Sequence, residues 1–163
     1  MHGRRSTRRL FTALAAAAVI AAAFTFGSAT AGASDATSHL SGGGTAVVSG
    51  VAFSQVAFNV TINGSGSASG SFECLMAGRS SSVLEQFGLS HIMDVHATPT
   101  LGSVSWPVVS FSGPGRLTMD GGQHVGIDVT VWANVLTQQF ELTVGGVPPM
   151  PPESFMSGGI SLR

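Results

Sequence analysis

Lysine is absent from the 163 residues, and only 9% of them carry a charged side chain. Without lysine, no glycine-rich phosphate loop is completed. No basic stripe is available to neutralise a nucleic-acid backbone either. A single cysteine, Cys74, excludes an internal disulfide and a Cys-x-x-Cys pair, so the fold must rest on its core. Many serines are present, but none sits in a Gly-x-Ser-x-Gly elbow, and no glycine-rich dinucleotide fingerprint occurs.

The few cations are unevenly placed. Arg4, Arg5, Arg8 and Arg9 form a basic head, followed by an alanine-rich, uncharged run from Leu10 to Phe26. Ala29-Thr30-Ala31 and Ala31-Gly32-Ala33 then offer overlapping small-residue cleavage sites. Basic head, apolar run and small-residue site together predict a signal peptide, cut after Ala31 or after Ala33. The run is shorter than the roughly 20 apolar residues of a membrane-spanning helix, so no membrane anchor is expected after cleavage. Thr7-Arg8-Arg9-Leu10-Phe11 resembles the twin-arginine export consensus, which stands beside the general secretory route. Cleavage leaves Arg79, Arg116 and Arg163 against eight carboxylates, a net charge of −5. Such a chain is expected to be secreted, to the cell envelope or the extracellular space, and to avoid nucleic acid and anionic membranes.

The mature chain is long enough for one core. Residues 1–31 read as the cleaved signal, 32–43 as a flexible N-terminal segment, and 44–163 as a single all-β domain. Its dominant period is two, the mark of half-buried strands. Val56, Phe58, Val60 and Ile62 alternate with small or polar residues up to Asn63-Gly64, a hairpin signal. Phe72, Cys74 and Met76 return, after a Gly/Ser/Ala tract over 64–70 that reads as a mobile loop or plain edge segment. Leu117 and Met119 lead through Asp120-Gly121-Gly122 into a core row of Val125, Ile127, Val129 and Val131. Phe140, Leu142 and Val144 form another strand, ending at Gly145-Gly146. The proline-rich connector over 147–152 cannot pair in a sheet, and a last strand is expected from Phe155 to Leu162. Pro107 marks the run from Val104 to Phe111 as an edge or bulged strand. Ser82 and Glu85, with Gly88 as a stop, predict one short helix. The pattern predicts an all-β fold, an antiparallel β-sandwich of about 7–8 strands, with a small closed β-barrel as the alternative.

Gly42-Gly43-Gly44, Phe58-Asn59-Val60, the run from Gly70 to Gly78 and the run from Pro152 to Ile160 together resemble small secreted β-rich proteins of actinobacterial type. That resemblance implies export from a bacterial cell and β structure. It carries no activity or binding residues.

Candidate chemistry lies in the polar faces. Asp94 and His96 share a strand face at i and i+2, and His124 and Asp128 share the face opposite the valine row. If those strands are neighbours, imidazoles and carboxylates converge on a site suited to zinc or another divalent metal. The plainer reading makes them solvent-facing polar residues, with no cofactor. Glu73, Glu85, Glu141 and Glu153 read as solvated charges, and Cys74 as a small hydrophobe on a strand's apolar face. Trp106 and Trp132 are the candidate contact aromatics, suited to stacking on a sugar ring or meeting a partner protein. The sequence thus favours a non-catalytic exported domain that binds a cell-envelope component, an extracellular polysaccharide or a protein. The alternatives are a small metal-dependent enzyme using the His/Asp cluster, and a barrel that carries a hydrophobic ligand.

Overall fold

The computed structural model describes residues 36–77, 91–146 and 150–163. The export signal, its cleavage sites and the helix expected over 82–88 lie outside the described residues. So does part of the proline-rich connector.

Ten strands follow one another: β1 (Ser38–Val48), β2 (Val51–Ile62), β3 (Ala68–Ala77), β4 (Ile92–Ala97), β5 (Leu101–Ser105), β6 (Val108–Met119), β7 (His124–Asn134), β8 (Gln139–Val144), β9 (Glu153–Phe155) and β10 (Gly159–Leu162). Every pairing is antiparallel. The path β1-β2-β3-β4-β6-β7-β8-β9 returns on itself, because β9 pairs with β8 on one side and with β1 on the other. The all-β expectation holds, and of the two architectures left open the fold is the closed barrel rather than the sandwich.

Long strands that change partner make this closure possible. β1 pairs through Leu40–Gly43 with β10 and through Ala46–Val47 with β9, and its register against β2 shifts between Ala46 and Val47. β6 likewise pairs with β5 over Val108–Ser112 and with β4 over Gly115–Met119. A bulge of this kind bends a strand and tightens its twist, which curls a sheet toward closure.

Inward positions follow the period of two and are apolar. Phe58, Val60, Phe72, Cys74, Met76, Val95, Val109, Phe111, Val131, Phe140 and Leu142 are all buried. Phe58, Phe72 and Phe111, from β2, β3 and β6, meet ring to ring with centroids 5.9 to 6.3 Å apart. Eight strands enclose a lumen that side chains are able to fill, and here these rings help to fill it. Outward positions between them carry Asn59, Thr61, Glu73, Asp94, His96, Arg116, Asp128 and Thr130. No helix among the described residues is long and apolar enough to cross a membrane.

Several local expectations are corrected. Residues 38–43 belong to the barrel, since β1 starts at Ser38. Their glycines serve close packing: a Cβ on Gly42 would stand 2.3 Å from the Phe58 ring, so the bare backbone makes room for that ring. The Gly/Ser/Ala tract is only partly a loop, because β3 begins at Ala68 and Asn63 Oδ1 accepts the N–H groups of Ser65 and Ser67. Trp106-Pro107, with a cis peptide bond, is the turn between β5 and β6 and not the middle of one strand. Met119 and Val125 are exposed, because the β6–β7 hairpin projects past the core there. The expected final strand is two, β9 and β10, split at residues 156–158.

Candidate functional site

Barrel register aligns an outward row across three strands: Glu73 on β3 faces His96 on β4, and His96 faces Arg116 on β6. The next outward row runs Leu75, Asp94, Thr118 and His124, the last on β7. Alternation puts these side chains on the outer side, with Thr118 alone among them buried, since Phe72, Cys74, Val95, Ala97 and Leu117 between them point into the core.

His96 is the hub of the patch. Its Nε2 lies 3.2 Å from Asp94 Oδ2 and its Nδ1 3.5 Å from Glu73 Oε1. A neutral imidazole donates through one of its nitrogens and accepts through the other, so the ring brings both roles to the patch. Arg116 is exposed beside it. An open cleft of about 470 Å³ is lined by Ser71, Glu73, His96, Thr98 and Arg116, and a second of about 400 Å³ reaches Asp94, His96 and Gln55. The patch therefore offers donors, acceptors and hydroxyls side by side, in open clefts on a wall made rigid by sheet hydrogen bonds.

Of the four residues considered for a metal, only Asp94 and His96 are in contact. Asp94 and His96 are together on β4, but β6 runs between β4 and β7, which sets His124 and Asp128 about 10 Å away in strand spacing. His124 is held by Thr118, with Nδ1 2.6 Å from Oγ1. Asp128 sits still further along β7, opposite Pro114. Among the described residues no group of three or more His, Cys, Asp or Glu side chains is arranged to hold a metal ion. His91, just before β4, pairs with Asp120 at 2.6 Å and ties the start of β4 to the β6–β7 turn.

The two tryptophans lie toward the end of the barrel where the β5–β6 turn meets β7, with Val135 N–H donating to the Pro107 carbonyl at 3.0 Å. Trp106 is 63% exposed on that turn. Trp132 is half-buried on the outer face between Ser110 and Glu141.

Glu73 and Arg116 belong to the patch, although sequence spacing pointed only to His and Asp. Their partnership with His96 depends on strand order, which a single sequence does not display. Glu153 is the larger surprise: it is 0% exposed, where a solvated charge was expected. It lies on β9, accepts a hydrogen bond from Ser54 on β2 through Oε2, and its Oε1 has no partner. Burial pushes its carboxyl up to about 7, against a smaller lowering from Ser54. Period two held the clue, since Glu153 shares a face with Phe155, whose ring packs on Phe140 at 5.7 Å. Cys74 is buried as expected, and its thiol is raised by burial first and by the neighbouring Glu153 charge second. It is not a poised nucleophile.

Comparison of the chain with protein-family models, with curated proteins and with solved structures finds no match, so its reading rests on its own geometry.

Proposed function

We propose that this is an exported, non-catalytic bacterial domain that works through its outer wall, binding a hydroxyl-rich polymer of the cell envelope or its surroundings. The observation that supports this most is the outward row Glu73, His96 and Arg116 in an open cleft, set on a barrel whose lumen is occupied by its own side chains. Sugar hydroxyls both donate and accept hydrogen bonds, and this row supplies partners for both roles. Exposed aromatics such as Trp106 suit the apolar faces of sugar rings. The inside-apolar, outside-polar alternation is the reverse of a lipid-embedded barrel wall, which fits a domain that works in water.

The test is cosedimentation of the mature protein with isolated peptidoglycan sacculi and with insoluble cellulose. The proposal expects saturable binding to at least one of them, weakened about tenfold or more in His96→Ala and Arg116→Ala, as for hot-spot side chains. Binding to neither polymer, or binding that both substitutions leave unchanged, would overturn it.

A further inference from the structure

The barrel is closed by its shortest described strand. β9 spans only Glu153–Phe155, yet it alone bridges β8 to β1. Its register pairs are few: Gln139 with Ser154 and Phe140 with Glu153 on one side, Ala46 with Phe155 and Val47 with Ser154 on the other. At this weakest seam the chain places a carboxyl inside an apolar lumen. Ser54 Oγ–H is the one hydrogen-bond donor the side chain has among the described residues, and Oε1 is left unpartnered.

The groups that face Glu153 offer its charged form little. From β2 comes Ser54, a neutral hydroxyl. From β3 comes Cys74, the other titratable group near it among the described residues, whose thiol is held in its neutral form by burial. β8 presents Phe140 alongside, and β1 lines this part of the lumen with Ala46 and Val48, both buried. Asp94, on the outer face of β4, is felt at Cys74 and adds only negative charge. No cationic side chain among the described residues forms an ion pair with the carboxylate. A buried carboxyl in this setting is stable when protonated and costly when charged.

We infer that Glu153 makes the β8–β9–β1 seam a pH-sensitive latch, closed most firmly in acid and loosened toward neutral pH, where release of β9 gives the carboxylate water and opens the apolar lumen. The direction follows from linkage. The open seam gives Glu153 an ordinary carboxyl, which ionises near pH 4.5, whereas the closed seam keeps its proton up to about pH 7. Across that window only the open form loses a proton, so the opening equilibrium rises about tenfold per pH unit and then levels off. An exported protein meets the pH of its surroundings directly, so the latch would couple access to the lumen to external acidity.

Hydrogen exchange followed by mass spectrometry, on the mature protein between pH 5 and pH 8, tests this. Rates are converted to protection factors so that intrinsic exchange cancels. Protection of the Ser154 and Phe155 amides is expected to fall by about 40-fold from pH 5 to pH 7 and then flatten. Glu153→Gln, which keeps shape and hydrogen bonding without the charge, is expected to show no such fall. Ser54→Ala is expected to carry the fall to higher pH, because the charged form loses its donor. Carbon-13 NMR of the Glu153 carboxyl in the unmodified protein needs no variant, and it is expected to stay protonated above pH 6. A carboxyl that titrates near pH 4.5 in the folded protein would overturn the inference, as would seam protection independent of pH or an equal fall in Glu153→Gln.

Discussion

Phe58, Phe72 and Phe111 show what a few side chains contribute to this fold. Their three rings meet in the lumen, and Phe72 is fully buried. Truncating Phe72 to Ala is expected to cost about 3–5 kcal/mol in urea denaturation, because the rings around it are held by the barrel wall and cannot collapse into the gap. Phe58 and Phe72 were legible from the sequence, since each stands in phase with buried neighbours two residues away, whereas Phe111 appeared only as the end of a run broken by Pro107. Glu153 was not, because charge normally outweighs phase in such a reading, and here the phase set by Phe155 wins. Its consequence is a pH dependence of global stability. The folded carboxyl is raised to about 7 by burial, above its value of 4.5 in an unfolded chain. The stabilisation is therefore complete below about pH 4.5 and is lost as pH rises to 7, by about 3 kcal/mol. Urea midpoints measured from pH 4.5 to 8 should fall across that interval, and Glu153→Gln should flatten the fall.

Among the elements, β1 carries the most constraint for its composition. It contacts β2 along its whole length and β10 and β9 on its other edge. Gly44, with φ of +143°, lies so close to the Ser157 carbonyl that a Cβ there would stand 1.9 Å from the oxygen. Gly44→Ala is expected to lower stability by about 2–4 kcal/mol, through strain at that backbone and displacement of the turn before β10. Gly145→Ala is its control, because the nearest atom to a Cβ there is 3.4 Å away and no positive φ is needed. Thermal unfolding of the two variants checks the contrast, and equal midpoints would refute this role for Gly44. The hairpins at Asn63-Gly64 and Asp120-Gly121-Gly122 were legible because their turn residues carry their own conformational logic. The β5–β6 turn at Trp106-Pro107 and the three-residue β9 were not. A proline between two valine-rich runs also fits a bulged strand, and three residues are too short to show a period. Gly42-Gly43-Gly44 misled in the opposite direction, looking like slack chain while giving room to Phe58 and to the β10 turn.

At the scale of the whole molecule, the apolar and polar faces were readable but the order of the strands was not. Period two separates inside from outside equally well in a sandwich and a barrel, and closure is decided by the pairing of β9 with β1. Strand order also decides the surface chemistry. It joins Glu73, His96 and Arg116, and it inserts β6 between Asp94 and His96 on β4 and His124 and Asp128 on β7. The result is a barrel whose interior is a packed core and whose outer wall carries the polar clefts. That division separates a wall-binding domain from a carrier of hydrophobic ligands. The most direct test is native mass spectrometry of the purified protein, sprayed at pH 5 without detergent. The bare mass of the polypeptide is expected, because the closed lumen is full. A stoichiometric lipid-sized adduct that survives Arg116→Ala and is lost in a lumen variant such as Phe111→Trp would contradict it.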